Sequence, residues 1–497
     1  MSVLAGRTAG WARRLLRRRE SHQTALRRGS VDAVKVAIVG SGPAGFYACA
    51  RLLREQHVHV DLVERLPVPY GLIRFGVAPD HPELKNCIHS FERLAEANVP
   101  AGRMQFFGNV NVGVDVSVPQ LRDMYDLVLL SYGAEFERHL GVMGEMGVAN
   151  VFSARRFVGW YNGVPGDAQL KPDLQTEHAV VIGHGNVALD VARILLSQPD
   201  SLRGTDITAH ALDALGGSRV RRVTCVGRRG PLQVAFTIKE LREMIRLHGC
   251  LARLAPEHFE GISDQFIQAL PRRRQRMTKL MRDTALGLHK PQEPPALDRC
   301  WECQFLKSPV EFVGDAYTGA LRAVRLVHNR LEPDTLTPDE SVFERAAARP
   351  TDRLETVDAG LAIASVGYRT AQIDPTVPFD ADKQVVRQPE PSVVSPGVFC
   401  SGWCGRGPRG VLDLTQRDAS ATAKLMLDQL AQTPPLGPPR PGGQALRDHL
   451  IRRGVPWVDW AGWTRIDAEE RARGKRVFKA REKMVSVAEM LQFGAAQ

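Results

Sequence analysis

KVAIVGSGPAGFYACARLLRE, residues 35–55, passes from an apolar run straight into three glycines and then into a helix-forming segment. Val36 to Val39 reads as a strand. Gly40, Gly42 and Gly45 follow at the G-x-G-x-x-G spacing, which carries meaning only in such a strand–turn–helix context. Gly40 allows the tight turn, Gly42 lets the backbone approach a pyrophosphate, and Gly45 lets the helix pack on its strand. The helix N-terminus adds amides and a positive dipole for phosphate. A second strand, His59 to Val63, ends in Glu64, where an acid is placed to accept hydrogen bonds from ribose hydroxyls. The competing reading is a glycine-rich turn in an ordinary α/β unit.

The pattern recurs. His178 to Ile182 reads as a strand, followed by Gly183, His184, Gly185, Asn186 and Val187, with Ala188 in place of the third glycine. The next strand, Val223 to Val226, leads into Gly227, Arg228 and Arg229, with no acid at the ribose position. Two guanidiniums there suit a doubly charged 2′-phosphate through charge-assisted bidentate bonds; a solvated arginine pair is the alternative. Residues 197–219 read as an insertion that lengthens this unit. Different ribose chemistry implies two different nucleotides, most economically a flavin on the first fold and NADPH on the second, with rings in contact for hydride transfer. That step requires no side-chain acid or base; the protein supplies orientation, exclusion of water and tuning of the flavin.

The chain of 497 residues is long enough for more than one core, and 43% hydrophobic and 24% charged residues suit a globular protein. The formal net charge is +11, and +6 of it falls in residues 1–33, where Arg7, Arg13, Arg14, Arg17, Arg18, Arg19, Arg27 and Arg28 face only Glu20 and Asp32. Trp11, Leu15 and Leu16 share a helical face among these arginines, the pattern of a mitochondrial presequence. A disordered basic arm or a nucleic-acid tail are the alternatives. No apolar run of membrane-spanning length is present. Eight dispersed cysteines do not form a disulfide framework.

The stretches VAIVGSGPAGFYACARLL, PYGLIRFGVAPDHPELKN, GNVALDVARILL, VGRRGPLQVAFTIKELREM and FCSGWCGRGPRGV resemble the adrenodoxin reductase family, the mitochondrial ferredoxin–NADP reductases of the glutathione-reductase-like superfamily. The resemblance covers residues 34–497. It implies an α/β protein of two Rossmann-like dinucleotide-binding domains, the NADP domain (137–365) inserted into a discontinuous FAD domain (34–136 and 366–497). It places Ala44, Glu64, Leu72, Val112, Trp403, Gly410, Val411 and Leu412 on FAD. His184, Gly185, Asn186, Val187, Arg228, Arg229, Glu240 and Gly410 fall on NADP. His81 is either near the flavin or an ordinary hydrogen-bonded loop histidine. Two departures stand out. His184 replaces a glutamine usual in the family and could make NADPH binding pH-dependent; Asp413 is expected to point away from the flavin.

Residues 271–282, PRRRQRMTKLMR, hold six basic residues and no acid, with Arg272, Arg276 and Lys279 on one helical face. The resemblance implies that Arg242, Arg272 and Arg276 meet an acidic [2Fe–2S] ferredoxin, whose electrons end in mitochondrial P450 hydroxylation, iron–sulfur cluster assembly or both. A solvated basic helix is the alternative. The implied protein is a monomer of the mitochondrial matrix, with at most peripheral membrane association. The rival functions are disulfide reduction and an inactive nucleotide-binding scaffold. Cys300 and Cys303 have redox spacing but read as lying in a charged stretch far from either glycine turn, and Cys400 and Cys404 are spaced too widely; all four read as ordinary thiols, and zinc at Cys300 and Cys303 lacks a second ligand pair. Beyond the Pro/Gly-rich stretch 433–443, Trp457, Trp460 and Trp463 are expected to pack on the FAD domain.

Overall fold

The computed structural model describes residues 33–288, 298–333, 338–434 and 438–496. The expected presequence, Ala33 apart, lies outside the described residues. The chain first builds β1 (Val34–Val39), α1 (Pro43–Leu52), β2 (Val58–Glu64), β3 (Met104–Gly108) and β4 (Leu127–Leu130), all four strands parallel. Val36, Ala37 and Ile38 have no exposed surface, because helices cover both faces of the sheet. That is why these strands read as continuous apolar runs rather than alternating ones.

A second parallel sheet begins with β5 (Val151–Ser153) and β6 (His178–Ile182), continues through α2 (Asn186–Leu196), β7 (Arg222–Val226), α3 (Ile238–Ile245), β8 (Cys250–Leu254) and α4 (Arg272–Ala285), and reaches β9 (Arg299–Gln304). An antiparallel layer of β10 (Lys307–Gly314), β11 (Leu321–Glu332) and β12 (Ala347–Asp358), with α5 (Glu340–Arg345) between the last two, packs beside it through Phe312, Val324 and Leu326. β13 (Leu361–Ala364) then returns to the second sheet, whose order is β5-β13-β6-β7-β9-β8. Finally β14 (Val393–Ser395) and β15 (Val398–Cys400) rejoin the first sheet in the order β14-β15-β4-β1-β2-β3, and α6 (Leu412–Gln432) lies on α1. One dinucleotide fold is thus inserted into another.

In each sheet the first strand of the motif, β1 or β6, is flanked by strands on opposite sides of the topological reversal. Ligands of such folds sit outside the carboxyl ends of the strands at that switch point. The segment 197–219 contributes two short helices, Pro199–Leu202 and Ala209–Gly216, between α2 and β7. In α7 (Trp460–Arg476), Trp463 is buried in the core that also holds Phe46 and Tyr70, and Trp460 packs against it; Trp457 closes a neighbouring core of the same sheet. No helix among the described residues is long and apolar enough to cross a membrane.

Candidate functional site: two nucleotide turns and the seam between them

At the first turn each glycine answers a different constraint. Gly40 takes φ +98°, and a Cβ there would lie 2.7 Å from the Ser131 carbonyl oxygen. A Cβ on Gly45 would meet the Gly40 carbonyl at 2.2 Å, so α1 could not close on its strand. A Cβ on Gly42 would meet nothing within 4 Å: the space in front of it is open, as an approaching pyrophosphate requires. Gly42 caps α1 with no side-chain hydrogen bond and no acid in the first turn. Its leading amides are therefore available to an anion.

Segments distant in sequence close round this turn. Tyr70 N–H donates to Ser41 O (3.0 Å), and the Gly71 Cβ position lies 3.2 Å from Gly42, setting Leu72 beside it. Gly402, at φ +75°, brings the backbone leading into Trp403 against the start of α1: its Cβ position is 2.8 Å from the Ala44 methyl. The Gly402 amide is held by Asp418 Oδ2 at 2.6 Å. Glu64 ends β2 with Oε2 accepting from Ser41 N and Oγ, both at 2.8 Å, and the Val110 amide bonds its carbonyl, leading to buried Val112. Gly410 (φ +86°), Val411 and Leu412 start α6, with Val411 59% exposed although apolar. This is a cradle of open glycine, free amides, a ribose-position carboxylate and uncovered apolar side chains, the donor set an FAD needs. Asp413 is exposed and pairs with Arg417 at 2.8 Å, out in solvent.

The second turn repeats the logic. Gly183 is locked by the Ser365 carbonyl, 2.2 Å from its Cβ position, whereas Gly185 faces open space and caps α2 without a side-chain bond or an acid. Asn186 Oδ1 accepts from Thr237 N at 2.8 Å, and Val187 packs on the domain core. The His184 ring turns inward: Nε2 lies 3.2 Å from Cys225 O and 3.5 Å from Cys303 Sγ, with Phe305 edge-on at 4.9 Å. Burial holds its pKa down to about 4. A ring held neutral and packed into the core argues against a pH dependence of NADPH binding through His184.

Arg228 is exposed and Arg229 half-buried, and neither has a carboxylate within ion-pair distance among the described residues. Burial lowers the pKa of Arg229, and neighbouring Arg228 and Arg274 add to that. Glu240, one turn into α3, is buried and ion-paired to Arg193 at 3.1 Å; burial and Asp190 push its carboxyl up.

Arg193 anchors a seam between the two folds that the motifs did not reveal. It binds Asp80 (2.6 Å), Asp190 (2.7 Å) and Glu240, while His81 Nε2 meets Glu243 Oε2 at 2.7 Å. His81 is therefore hydrogen-bonded, but across the seam rather than within its own loop. Burial disfavours ionisation of Asp80, yet its bonds to Arg193 hold its pKa below the usual range, and burial raises that of Asp190. The available signal was Asp190 and Arg193, two charges three residues apart in an otherwise apolar helix.

Arg242, Ile245, Arg246, Arg276, Lys279, Leu280 and Asp283 line an open surface cavity of about 390 Å³ on α3 and α4, with exposed Arg272 one turn away. The basic run is not a single face: Arg274 turns inward, and Arg282 binds the Ile262 carbonyl and Asp264. The placement of Cys300 and Cys303 differs from expectation. Cys300 and Cys303 lie on β9, inside the second sheet, and Cys303 sits beneath the second glycine turn rather than far from it. Burial raises the pKa of all four thiols, that of Cys404 to about 12, which disfavours the thiolate that disulfide chemistry needs.

Two open glycine turns at the switch points of two parallel sheets, one ending in a carboxylate and the other in a guanidinium pair, define an oxidoreductase built on two dinucleotides. A model of the NAD(P)-binding Rossmann-like domain family matches residues 38–100. The NADPH:adrenodoxin oxidoreductase of Homo sapiens is 47% identical over 463 residues, 92% of this chain and 91% of that protein. The NADPH-ferredoxin reductase FprA of Mycobacterium leprae is 38% identical over 469 residues, 92% of this chain and 98% of its own length. The structure of Mycobacterium tuberculosis FprA in complex with NADPH superposes with a TM-score of 0.83 at 38% identity, covering 92% of this chain and 99% of that one. The chain belongs to the adrenodoxin reductase family.

Proposed function

We propose that this protein is an FAD-dependent NADPH:ferredoxin oxidoreductase of mitochondria. FAD lies on Gly40, Gly42, Ala44, Gly45, Glu64, Leu72, Val112, Trp403, Gly410, Val411 and Leu412. NADPH lies on Gly183, His184, Gly185, Asn186, Val187, Arg228, Arg229, Glu240 and Gly410. The observation that carries the reading is the contrast at the two ribose positions: Glu64 at the end of β2, and Arg228 with Arg229, without a carboxylate in ion-pair range among the described residues, after β7. When bound, FAD supplies the conversion of one two-electron donor into two single-electron transfers. The chain's own tasks are to orient the two rings at the seam, exclude water, and present Arg242, Arg272 and Arg276 to an acidic [2Fe–2S] ferredoxin. A focused positive field there speeds encounter and makes the rate fall with salt.

The domain boundaries that suit this reading are 34–136 with 366–497 for FAD and 137–365 for NADP. The curated relatives from animals and a plant carry "mitochondrial" in their names, which supports the same compartment here, in the matrix with at most peripheral membrane contact and as a monomer. The test is cytochrome c reduction by the purified protein with NADPH or NADH, with and without a [2Fe–2S] ferredoxin, at two salt concentrations. Turnover that needs both NADPH and ferredoxin and weakens with salt is expected. Turnover indifferent to ferredoxin removes the electron-transfer reading.

A further inference from the structure

Arg274 sits in the basic run of α4 but belongs to a different surface from its neighbours. Arg272, Arg273 and Arg276 are exposed, whereas the Arg274 side chain keeps only 18% of its surface. Its Nη1 donates to the Val234 carbonyl at 2.9 Å, and its guanidinium lies 5.8 Å from the Phe343 ring centroid on α5. Val234 closes the turn that opens with Arg228 and Arg229, so this bond ties α4 to the segment carrying the guanidinium pair. Arg228 and Arg274 both act on Arg229, reinforcing the effect of its burial. An anion beside Arg229 would offset the repulsion that Arg228 and Arg274 each exert on it.

The compensation among the described residues is loose. Among the described residues the carboxylates within ion-pair range of Arg274 are Glu340, 3.9 Å from Nε, and Glu344, 3.7 Å from Nη2, both beyond hydrogen-bond distance. Glu344 also acts favourably on Arg229. A ribose 2′-phosphate offers three acceptor oxygens and about two charges, enough to engage three guanidiniums by charge-assisted bonds.

We infer that Arg274 is the third cation of the 2′-phosphate pocket and that Glu340 and Glu344 on α5 are its internal counter-anions, competing with the phosphate and setting how strongly the pocket prefers NADPH to NADH. This rests on the assignment of Arg228 and Arg229 to that phosphate. α4 then carries two functions on two faces, cofactor choice inward and ferredoxin docking outward.

The FAD-loaded enzyme is titrated calorimetrically with 2′,5′-ADP, with 3′,5′-ADP as a control of equal charge and 5′-AMP as a control without the second phosphate. Arg274→Gln weakens 2′,5′-ADP by about tenfold or more, the loss of one hydrogen bond to a charged group, and moves either control by less than about twofold. Arg274→Lys, which keeps the charge, recovers part of the loss. Glu340→Gln with Glu344→Gln leaves the Val234 bond and the Phe343 stack in place and tightens 2′,5′-ADP by roughly two- to fivefold. Equal weakening of all three ligands by Arg274→Gln would make the residue a structural prop. Unchanged 2′,5′-ADP affinity with a lost ferredoxin response would return it to the docking face. Either outcome overturns the inference. Arg228→Gln with Arg229→Gln, run in parallel, separates the two layers: if that variant keeps its preference for 2′,5′-ADP, the pocket itself is misplaced, and if it alone loses the preference, only the role of Arg274 falls.

Discussion

Gly42 and Gly45 stand three residues apart and fail differently when given a side chain. Gly42 has φ −75° and open space in front of it, so Gly42→Val folds but fills the approach to the turn. Gly45→Val drives its Cβ into the Gly40 carbonyl and costs about 1–3 kcal/mol or more in packing strain. Compared as flavin-stripped proteins, Gly42→Val should match the parent in denaturant midpoint while Gly45→Val falls; on adding FAD, Gly42→Val should recover little of the yellow absorbance. His184 provides a pH test. Its folded pKa of about 4 lies below the unfolded value, so between pH 6.5 and 4 the unfolded chain binds a proton that the folded chain refuses. Stability therefore falls as pH drops through that window. His184→Gln should flatten the acid limb of a stability–pH curve by roughly 1–3 kcal/mol, and the KM for NADPH should follow the parent's pH profile between 6 and 8. At this scale the glycines, Glu64 and the arginine pair were legible because each acts on local backbone or at the end of its own strand. Asp80, His81, Arg193 and Glu243 were not, because Arg193 meets Asp80 across 113 residues of chain and His81 meets Glu243 across 162.

α3 serves both sides of the molecule at once. Glu240 and Glu243 face the seam, while Arg242 and Arg246 line the outer cavity with Arg276 of α4. A charge reversal on the outer side, Arg276→Glu, should lower kcat/KM for ferredoxin by roughly tenfold at low ionic strength and make its dependence on salt shallower, since a steering charge acts mainly on encounter. Stopped-flow reduction of ferredoxin across a salt series measures both. Equal losses at every salt concentration would point to a packing defect instead. The elements built on apolar runs, β1, β2 and β6, could be read directly. β9 could not: its Arg299-Cys-Trp-Glu-Cys-Gln304 pattern looks like a charged surface stretch. Inside the sheet, Glu302 is neutralised by Arg222 at 2.7 Å and Arg253 at 3.1 Å and bonded by Thr224, so a central strand tolerates a carboxylate. The same hidden pairing split the basic run of α4, whose inward members are recognisable only once the turn beneath them is in place.

The two folds are joined by charge as much as by the crossing chain. Within six residues Asp80, His81, Glu83 and Lys85 each contact the inserted domain, at Arg193, Glu243, Lys239 and Asp206. The chain end returns to the same place: Lys483 reaches Asp206 at 3.0 Å, Ala480 N–H donates to Gly204 O, and Glu482 Oε1 accepts from Ala209 N. Asp206 thus holds two lysines, one from each part of the surrounding domain, and these drive its pKa well below the usual range although burial opposes them. Burial brings Lys483 down to about 7, with Lys85 and Arg74 adding to the effect and Asp206 opposing it. Below pH 7, Asp206→Asn should cost about 3–5 kcal/mol, because it strands two buried ammonium groups. Lys483→Met in that background should recover part of the loss, a coupling that a double-mutant cycle of denaturant midpoints would register. The pH dependence has a definite sign. Between about 7 and the unfolded lysine value near 10.4 the unfolded chain holds a proton that the folded chain has released, so this residue makes stability rise with pH across that window. Lys483→Met should remove that rise. A variant as steep as the parent between pH 7 and 9 would mean that Lys483 stays charged in the fold, and that the junction at Asp206 is a fully ionised triad.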